Sequence, residues 1–97
     1  MRRIVFAPSF DQEAEDIGAY IEITFGESAR REFVSGLSAT CALLASLPHL
    51  GTFKHGYETF SAGFPTEHNW IFFDYNDDEV NFVHIVPTSR DKPTISF

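Results

Sequence analysis

The spacing of hydrophobic positions changes along the chain from a strand-like period of two to a helix-like period near four. Residues 3–7 are β-branched and aromatic, and Pro8 has no N–H for a strand ladder, which predicts one short strand. A helix should follow, with Ser9 as its cap, Gln12 completing a capping box and Gly26 ending it. Its apolar stripe is predicted at Ala14, Ile17, Ile21 and Phe25.

A second helix is predicted from Glu27 or Ser28 to the residue before Pro48, because proline disfavours helical geometry at Leu47. Two helices joined at Gly26 form an antiparallel hairpin that still needs a further surface to cover. The apolar face of the second helix recurs about every four residues, at Ala29, Phe33, Leu37, Cys41 and Leu44, widened by Val34, Thr40 and Leu47.

The C-terminal half has the pattern of β-structure. Strands are predicted at residues 56–62, 69–75 and 80–86, separated by turn-forming residues at 63–67 and 76–79, which makes a three-stranded antiparallel meander. The predicted class is therefore α+β, in the order β-α-α-β-β-β, within a single domain over residues 1–97. Residues 88–97 lack a period and are predicted to be a loop or a mobile tail.

The last two predicted strands are apolar on both faces, although one layer of helices covers only one. We expect one face to carry Trp70 and Phe72 with Val80 and Phe82, and the other Ile71, Phe73 and Tyr75 with Val83 and Ile85. A soluble monomer rarely exposes a large aromatic patch, so the first face is predicted to dock a partner chain through Trp70, Phe72 and Phe82. Alternatively, the N-terminal strand, residues 50–55 and the tail fold over it.

Composition narrows the classes of function. Apolar residues make up 43% of the 97 residues and eleven are phenylalanine, enough for one core without disulfides. The single cysteine, Cys41, excludes an intramolecular disulfide and favours a reducing cytoplasm. Seven Lys and Arg against fourteen Asp and Glu give a net charge of −7, which argues against direct binding of nucleic acid. No segment approaches the roughly 20 apolar residues of a membrane span.

Five segments of the chain, taken in order, carry a resemblance to a known family. They are Asp16-Ile17-Gly18-Ala19-Tyr20-Ile21 followed by Phe25-Gly26, Ala29-Arg30-Arg31-Glu32-Phe33, Leu44-Ala45-Ser46-Leu47-Pro48-His49-Leu50-Gly51, Ile71-Phe72-Phe73-Asp74-Tyr75, and Arg90-Asp91. Together they resemble the ParE/RelE superfamily of bacterial toxins from type II toxin–antitoxin (plasmid stabilisation) systems. The resemblance covers residues 3–91.

The resemblance implies a toxin fold and a cognate antitoxin that wraps it and contacts the Trp70, Phe72 and Phe82 surface. It also implies a target: DNA gyrase in ParE-like members, or ribosome-bound mRNA, which is cleaved, in RelE-like ones. Arg90 and Asp91 stand where such toxins have a basic turn, so they are the expected target contacts; a plain loop ion pair is the alternative. A third interpretation is a non-toxic member that has become a protein interaction module.

The chain departs from the family pattern at cationic positions. The first meander strand reads Gly56-Tyr57-Glu58-Thr59-Phe60 without the usual arginine, acidic residues follow Tyr75, and His84 aligns with an arginine of the last strand. A ribonuclease would need a base, an acid and cations for the developing phosphorane charge, and His84, Arg90 and Tyr75 are the candidates. Because these cations are few, a binding toxin is preferred to an enzyme.

No cofactor or metal is expected. The four histidines, at positions 49, 55, 68 and 84, match no helical pair or clustered ligand motif. Cys41 shares a helical stripe with Leu37 and Leu44, which favours a packing role over a nucleophilic one.

Overall fold

A strand, two helices and three further strands follow one another in the computed structural model, which describes residues 2–52 and 62–88. The elements are β1 (Arg3–Phe6), α1 (Pro8–Phe25), α2 (Glu27–Ser46), a 3₁₀ turn (Pro48–Leu50), β2 (Ala62–Pro65), β3 (Asn69–Tyr75) and β4 (Glu79–Pro87). This arrangement confirms the α+β class and the β-α-α-β-β-β order. Residues 53–61 and 89–97, which include most of the first predicted meander strand and the predicted tail, lie outside the described residues.

The four strands form one mixed sheet in the order β1-β4-β3-β2. β2, β3 and β4 are antiparallel, as the meander prediction requires. β1 pairs in parallel with β4, with Arg3 opposite Glu79 and Phe6 opposite Phe82. The N-terminal strand therefore extends the sheet at its edge and does not fold over the face opposite the helices.

Both helix ends that were predicted from Gly26 and Pro48 are confirmed. Gly26 has φ +102°, a conformation that L side chains rarely adopt, and it separates α1 from α2 as a single residue. The predicted start of α1, with Ser9 as its cap, is wrong. Ala7 is the residue before the first turn, no side chain caps it, and Ser9 lies inside the helix, where its hydroxyl donates to the Val83 carbonyl oxygen at 2.6 Å.

β3 covers the predicted residues 69–75, and β4 is one residue longer than predicted at each end. The predicted turn at 63–67 is wrong in its first part, because Ala62–Pro65 pair with β3. The turn lies at residues 66–68, where Thr66 N–H and Oγ1 both donate to the Asn69 carbonyl oxygen.

The core lies between the helix hairpin and one face of the sheet. A register shift in the β3–β4 ladder pairs Phe72 with His84 but Phe73 with Phe82, so Val83 is an extra residue, a β-bulge. The bulge places Phe82 and Ile85, three residues apart, on the helix side. The predicted grouping of Val80 and Phe82 with Trp70 and Phe72 is therefore wrong. The buried core cluster contains Phe10, Cys41, Leu44, Ala45, Ala62, Ile71, Phe73, Val80, Phe82 and Ile85.

The predicted stripe of α1 is buried only in part. Phe10 is 2% exposed, and Ala14 and Ile17 pack against the core. In the last two turns, Phe25 is 70% and Ile23 86% exposed, so the prediction that Phe25 belongs to the buried stripe is wrong. A continuous helical period cannot show where the sheet beneath a helix ends.

The exit from α2 passes close to the sheet. Pro48 is buried and begins the 3₁₀ turn, and Gly51 follows it. A Cβ at position 51 would lie 2.6 Å from Ala62 Cβ and 2.7 Å from Phe73 Cζ, so only glycine fits there. Thr52 then exchanges two backbone hydrogen bonds with Gly63 on the outer edge of β2.

Candidate functional site

Two side chains one helical turn apart on α1 hold the β4 bulge. Glu13 Oε1 lies 3.0 Å from His84 Nδ1 and accepts the Ile85 N–H at 3.2 Å. Ser9 donates to Val83 O from the same helix face. A bulge leaves backbone groups out of the ladder, and buried backbone groups need partners. The first catalytic candidate, His84, is therefore 13% exposed and is bound to a carboxylate of its own chain.

The two ribonuclease candidates that the structure describes, His84 and Tyr75, do not lie together. His84 stands opposite Phe72, whereas Tyr75 ends β3 three residues further on, about 10 Å along the strand at 3.3 Å per residue. Tyr75 is 38% exposed, and the Arg2 guanidinium lies 5.7 Å from its ring centroid. Arg90 and Asp91 lie outside the described residues, and their predicted target contact stays a prediction.

Every arginine in the described ranges has an acceptor within the chain. Arg3 pairs with Glu79 at 2.7 Å, and that hydrogen bond raises the pKa of Arg3. Arg31 pairs with Glu27, and Arg2 Nε donates to the Asn76 carbonyl oxygen. The remaining one, Arg30, bridges the two helices. Among the described residues, three of the four arginines are thus paired with carboxylates, so most of the described positive charge is neutralised within the chain.

Arg30 joins α1 to α2 over a glycine. Its guanidinium donates to Glu22 at 2.9 Å and to Glu15 at 2.7 Å, and these hydrogen bonds, the one to Glu22 first, raise its pKa. Gly18 is buried beneath it, and a Cβ there would lie 3.3 Å from Arg30 Nε. These contacts give a structural reason for the glycine and the arginine in the two helix segments on which the family resemblance rests.

The predicted docking surface is largely inside the chain. Phe82 is 0% exposed and lies in the core beneath the helices, and Phe72 is 1% exposed on the opposite face beside Val86. Trp70 stacks on Phe72 with 6.1 Å between ring centroids and keeps part of its surface. Neither phenylalanine offers surface of its own, so contact with a partner stays a prediction for Trp70 alone.

A groove that the sequence analysis did not find lies between α2 and the turn that joins β2 to β3; we call it the α2 groove. Its volume is about 330 Å³. The floor consists of Phe33, Leu37 and Ile85 at the margin of the core. One wall is α2, with Glu32, Gly36 and Thr40, and the other is the turn, with Thr66, Glu67, His68 and Asn69.

Gly36 gives the α2 groove its opening. It lies in the middle of a 20-residue helix, where glycine is unfavourable, and a Cβ there would have no atom within 4 Å. Glu32 stands one turn before it, on the same face, with no ion pair to any described residue. The sequence contains one signal of the α2 groove, a glycine and a glutamate four residues apart inside an otherwise regular helix. The opposite wall, however, comes from a turn more than 25 residues away.

Metal and thiol chemistry receive no support from the described residues. Within ranges 2–52 and 62–88, no group of three or more His, Cys, Asp or Glu side chains could hold a metal ion. Cys41 is 1% exposed, and burial raises the pKa of its thiol to about 12, so the reactive thiolate is strongly disfavoured. The packing role predicted for Cys41 agrees with its place in the core cluster.

The fold defines a small α+β protein in which a helix hairpin covers one face of a four-stranded sheet. Comparison with family models matches residues 4–92 to the family described as the ParE toxin of the type II toxin–antitoxin system, parDE. The chain therefore belongs to the ParE toxin family, which confirms the resemblance and implies a cognate antitoxin. Comparison with curated proteins gives no match. In the described part of the chain, neither helix is sufficiently long and apolar to cross a bilayer.

Proposed function

We propose that this chain is the toxin of a toxin–antitoxin pair that acts by binding a cellular protein, with DNA gyrase as the target that its family suggests. The cognate antitoxin neutralises it by binding the same chain. The observation that carries the proposal is membership of the ParE toxin family over residues 4–92. The binding mode, as opposed to RNA cleavage, is supported by the arrangement of charge.

A protein that holds RNA needs cations free to neutralise phosphates. Here three of the four described arginines pair with carboxylates, most completely Arg30, whose guanidinium is bound by two. The fourth, Arg2, donates to the Asn76 carbonyl oxygen. Moving the Arg30 guanidinium to a phosphate would break hydrogen bonds and leave Glu15 and Glu22 facing the anion. A net charge of −7 adds a repulsive field over the whole molecule.

His84, a catalytic candidate of the ribonuclease alternative, has a structural role in this fold. His84 and Glu13 belong to the contacts between α1 and the β4 bulge, and Glu13 also accepts the Ile85 N–H. A histidine used in this way fixes the position of a strand. The RelE-like alternative and the non-toxic interaction module therefore enter as outcomes of the experiment below.

The test is induction of this chain alone in a bacterial host, with incorporation of labelled thymidine and labelled methionine followed in parallel over the first minutes. We expect thymidine incorporation to fall first, and co-expression of the cognate antitoxin to restore it. Supercoiling of relaxed plasmid by purified gyrase, with and without the purified chain, then tests the target directly.

An early fall in methionine incorporation would replace the binding toxin with an RNA-cleaving one. If neither label changes while the chain accumulates in folded form, the toxin proposal is overturned in favour of an interaction module. If thymidine incorporation falls but gyrase supercoils normally, the chain is a binding toxin with a different target.

A further inference from the structure

The α2 groove combines an apolar floor with carboxylates on both walls. Phe33 and Leu37 are partly buried against the core and supply the apolar surface, whereas Ile85 beside them is 1% exposed and adds almost none. Glu32 extends from α2, and Glu67 from the opposite turn, where its side chain is 88% exposed. A ligand that fits this surface carries an apolar group between two positive charges.

Every glutamate of the two helices except Glu32 is bound by an arginine or by β4. Glu15, Glu22 and Glu27 each pair with an arginine, and Glu13 is bound to β4. Glu32 has no such partner among the described residues. Within the described ranges, Glu67 pairs only with His68, whose Nε2 lies 3.4 Å from Glu67 Oε1 and whose side chain is 81% exposed. The negative charge of the groove is therefore available to a bound cation.

The walls of the groove are held in place before anything binds. Thr66 and Asn69 are joined by reciprocal hydrogen bonds across the turn, and the His68 carbonyl oxygen accepts both the N–H and the hydroxyl of Thr88. On the other side, Thr40 Oγ1 donates to the Gly36 carbonyl oxygen. A preformed groove loses little conformational entropy when it is filled.

We propose that the α2 groove binds a segment of the antitoxin that carries an apolar side chain flanked by lysine or arginine. The apolar side chain lies against the floor, in the opening left by Gly36, and the flanking cations pair with Glu32 and Glu67. The volume of about 330 Å³ is near the lower limit for small-ligand sites and suits one or two side chains. This inference rests on the proposed function, because it places the antitoxin of that proposal.

The experiment measures the affinity of the full chain for its cognate antitoxin, by calorimetry at two salt concentrations. Gly36→Leu fills the groove, and because nothing lies within 4 Å of the added Cβ and leucine favours helix, the variant should fold. We expect it to weaken binding about tenfold or more. Ser35→Leu, at the neighbouring exposed position outside the groove, is the matched control and should bind as the wild type does.

A charge reversal tests the carboxylates separately. Glu32→Lys should weaken binding about tenfold, and the loss should shrink at high salt. Asp77→Lys makes the same change of charge at the opposite end of the sheet, in the exposed turn between β3 and β4, and should change affinity by less than about threefold. Circular dichroism would reveal whether Gly36→Leu folds. Should it fail to fold, Glu32→Lys decides the question.

The outcomes separate the two proposals. If the wild-type chain binds the antitoxin, and Gly36→Leu and Glu32→Lys bind it equally well, the groove proposal is overturned while the proposed function stands. Equal losses in each variant and its control also overturn it, because the effect would then not belong to the groove. If the wild-type chain forms no complex with the antitoxin, both proposals fall.

Discussion

Glu13 on α1 and His84 on β4 meet across the interface between helix and sheet, with 3.0 Å between Oε1 and Nδ1, although 71 residues separate them in the chain. The same carboxylate accepts the Ile85 N–H just after the bulge. This relationship connects the first helix to the last strand at the point where the strand changes its register. It also binds the ring of His84, the histidine among the predicted catalytic candidates, to a carboxylate of its own chain.

The first prediction concerns this contact. Glu13→Ala leaves the Ile85 N–H and the His84 ring without their acceptor, and we expect the free energy of unfolding to fall by about 1–3 kcal/mol. Glu13→Gln keeps an oxygen for Ile85 and should cost less. Urea unfolding of the two variants measures the difference. Gln12→Ala, at the exposed neighbouring position, is the control and should stay within about 0.5 kcal/mol of the wild type.

A pair of glycines should respond to alanine in opposite directions. Gly36→Ala adds a Cβ in open space within a helix, so stability should rise by about 0.5–1 kcal/mol. Gly51→Ala puts a Cβ 2.6 Å from Ala62 Cβ and 2.7 Å from Phe73 Cζ, and should destabilise by about 1–3 kcal/mol. Thermal unfolding of both variants is the measurement. A gain at position 51 would contradict the close passage of the chain over the sheet.

Ionisation of the Cys41 thiol should make the protein less stable in alkali. The thiol ionises near pH 9 in the unfolded chain, but burial raises its pKa to about 12 in the folded one. As the pH rises, the unfolded state therefore loses the thiol proton first. The stability that the protonated thiol contributes is fully present below pH 9 and is lost between pH 9 and 12, by at most about 1.4 kcal/mol per pH unit.

Cys41→Ala lacks this titration and serves as the reference for the alkaline experiment. The difference in unfolding free energy between wild type and variant should be constant below pH 9 and decrease above it. A difference that stays constant up to pH 11 would show that the thiol ionises equally in both states. Under native conditions, a thiol reagent should also react with Cys41 only as fast as the protein opens.

Two apolar residues on the helix hairpin should differ widely in their effect on stability. Leu44 is 0% exposed, and Leu44→Ala should cost about 2–5 kcal/mol. Ile23 is 86% exposed, and Ile23→Ala should change the unfolding free energy by less than about 0.5 kcal/mol. Denaturant midpoints provide the comparison. A large loss at Ile23 would mean that the last turns of α1 are covered in solution.

Arg90 remains the predicted contact to the target. Arg90→Ala should abolish inhibition of growth by the induced chain and leave the circular dichroism spectrum and the melting temperature unchanged. Lys92→Ala, two residues further along, is the matched loss of one positive charge and should remain inhibitory. Full inhibition by Arg90→Ala would remove this residue from the target contact.

The sequence by itself determined the local elements. Glycine and proline set the ends of the two helices at Gly26 and Leu47, and a run rich in aromatic residues indicated β3 at residues 69–75. These features depend on neighbours within a few residues of each other. The motifs to which they belong, taken in order, were enough to indicate the family. Ser9 shows the limit of prediction from local sequence. Its hydroxyl donates to the backbone of a strand 74 residues away and does not form the predicted helix cap.

Only the tertiary structure decided which face of the sheet each β4 residue occupies, and with it the surface left for a partner. One extra residue at Val83 places Phe82 in the core with Ile85, and no local pattern signals such a bulge. The same holds for the parallel partner of β1, the pairing of Arg30 with Glu15 and the α2 groove. Each joins residues that are distant in the chain, and the free energy that selects them comes from packing that exists only when the whole domain has folded.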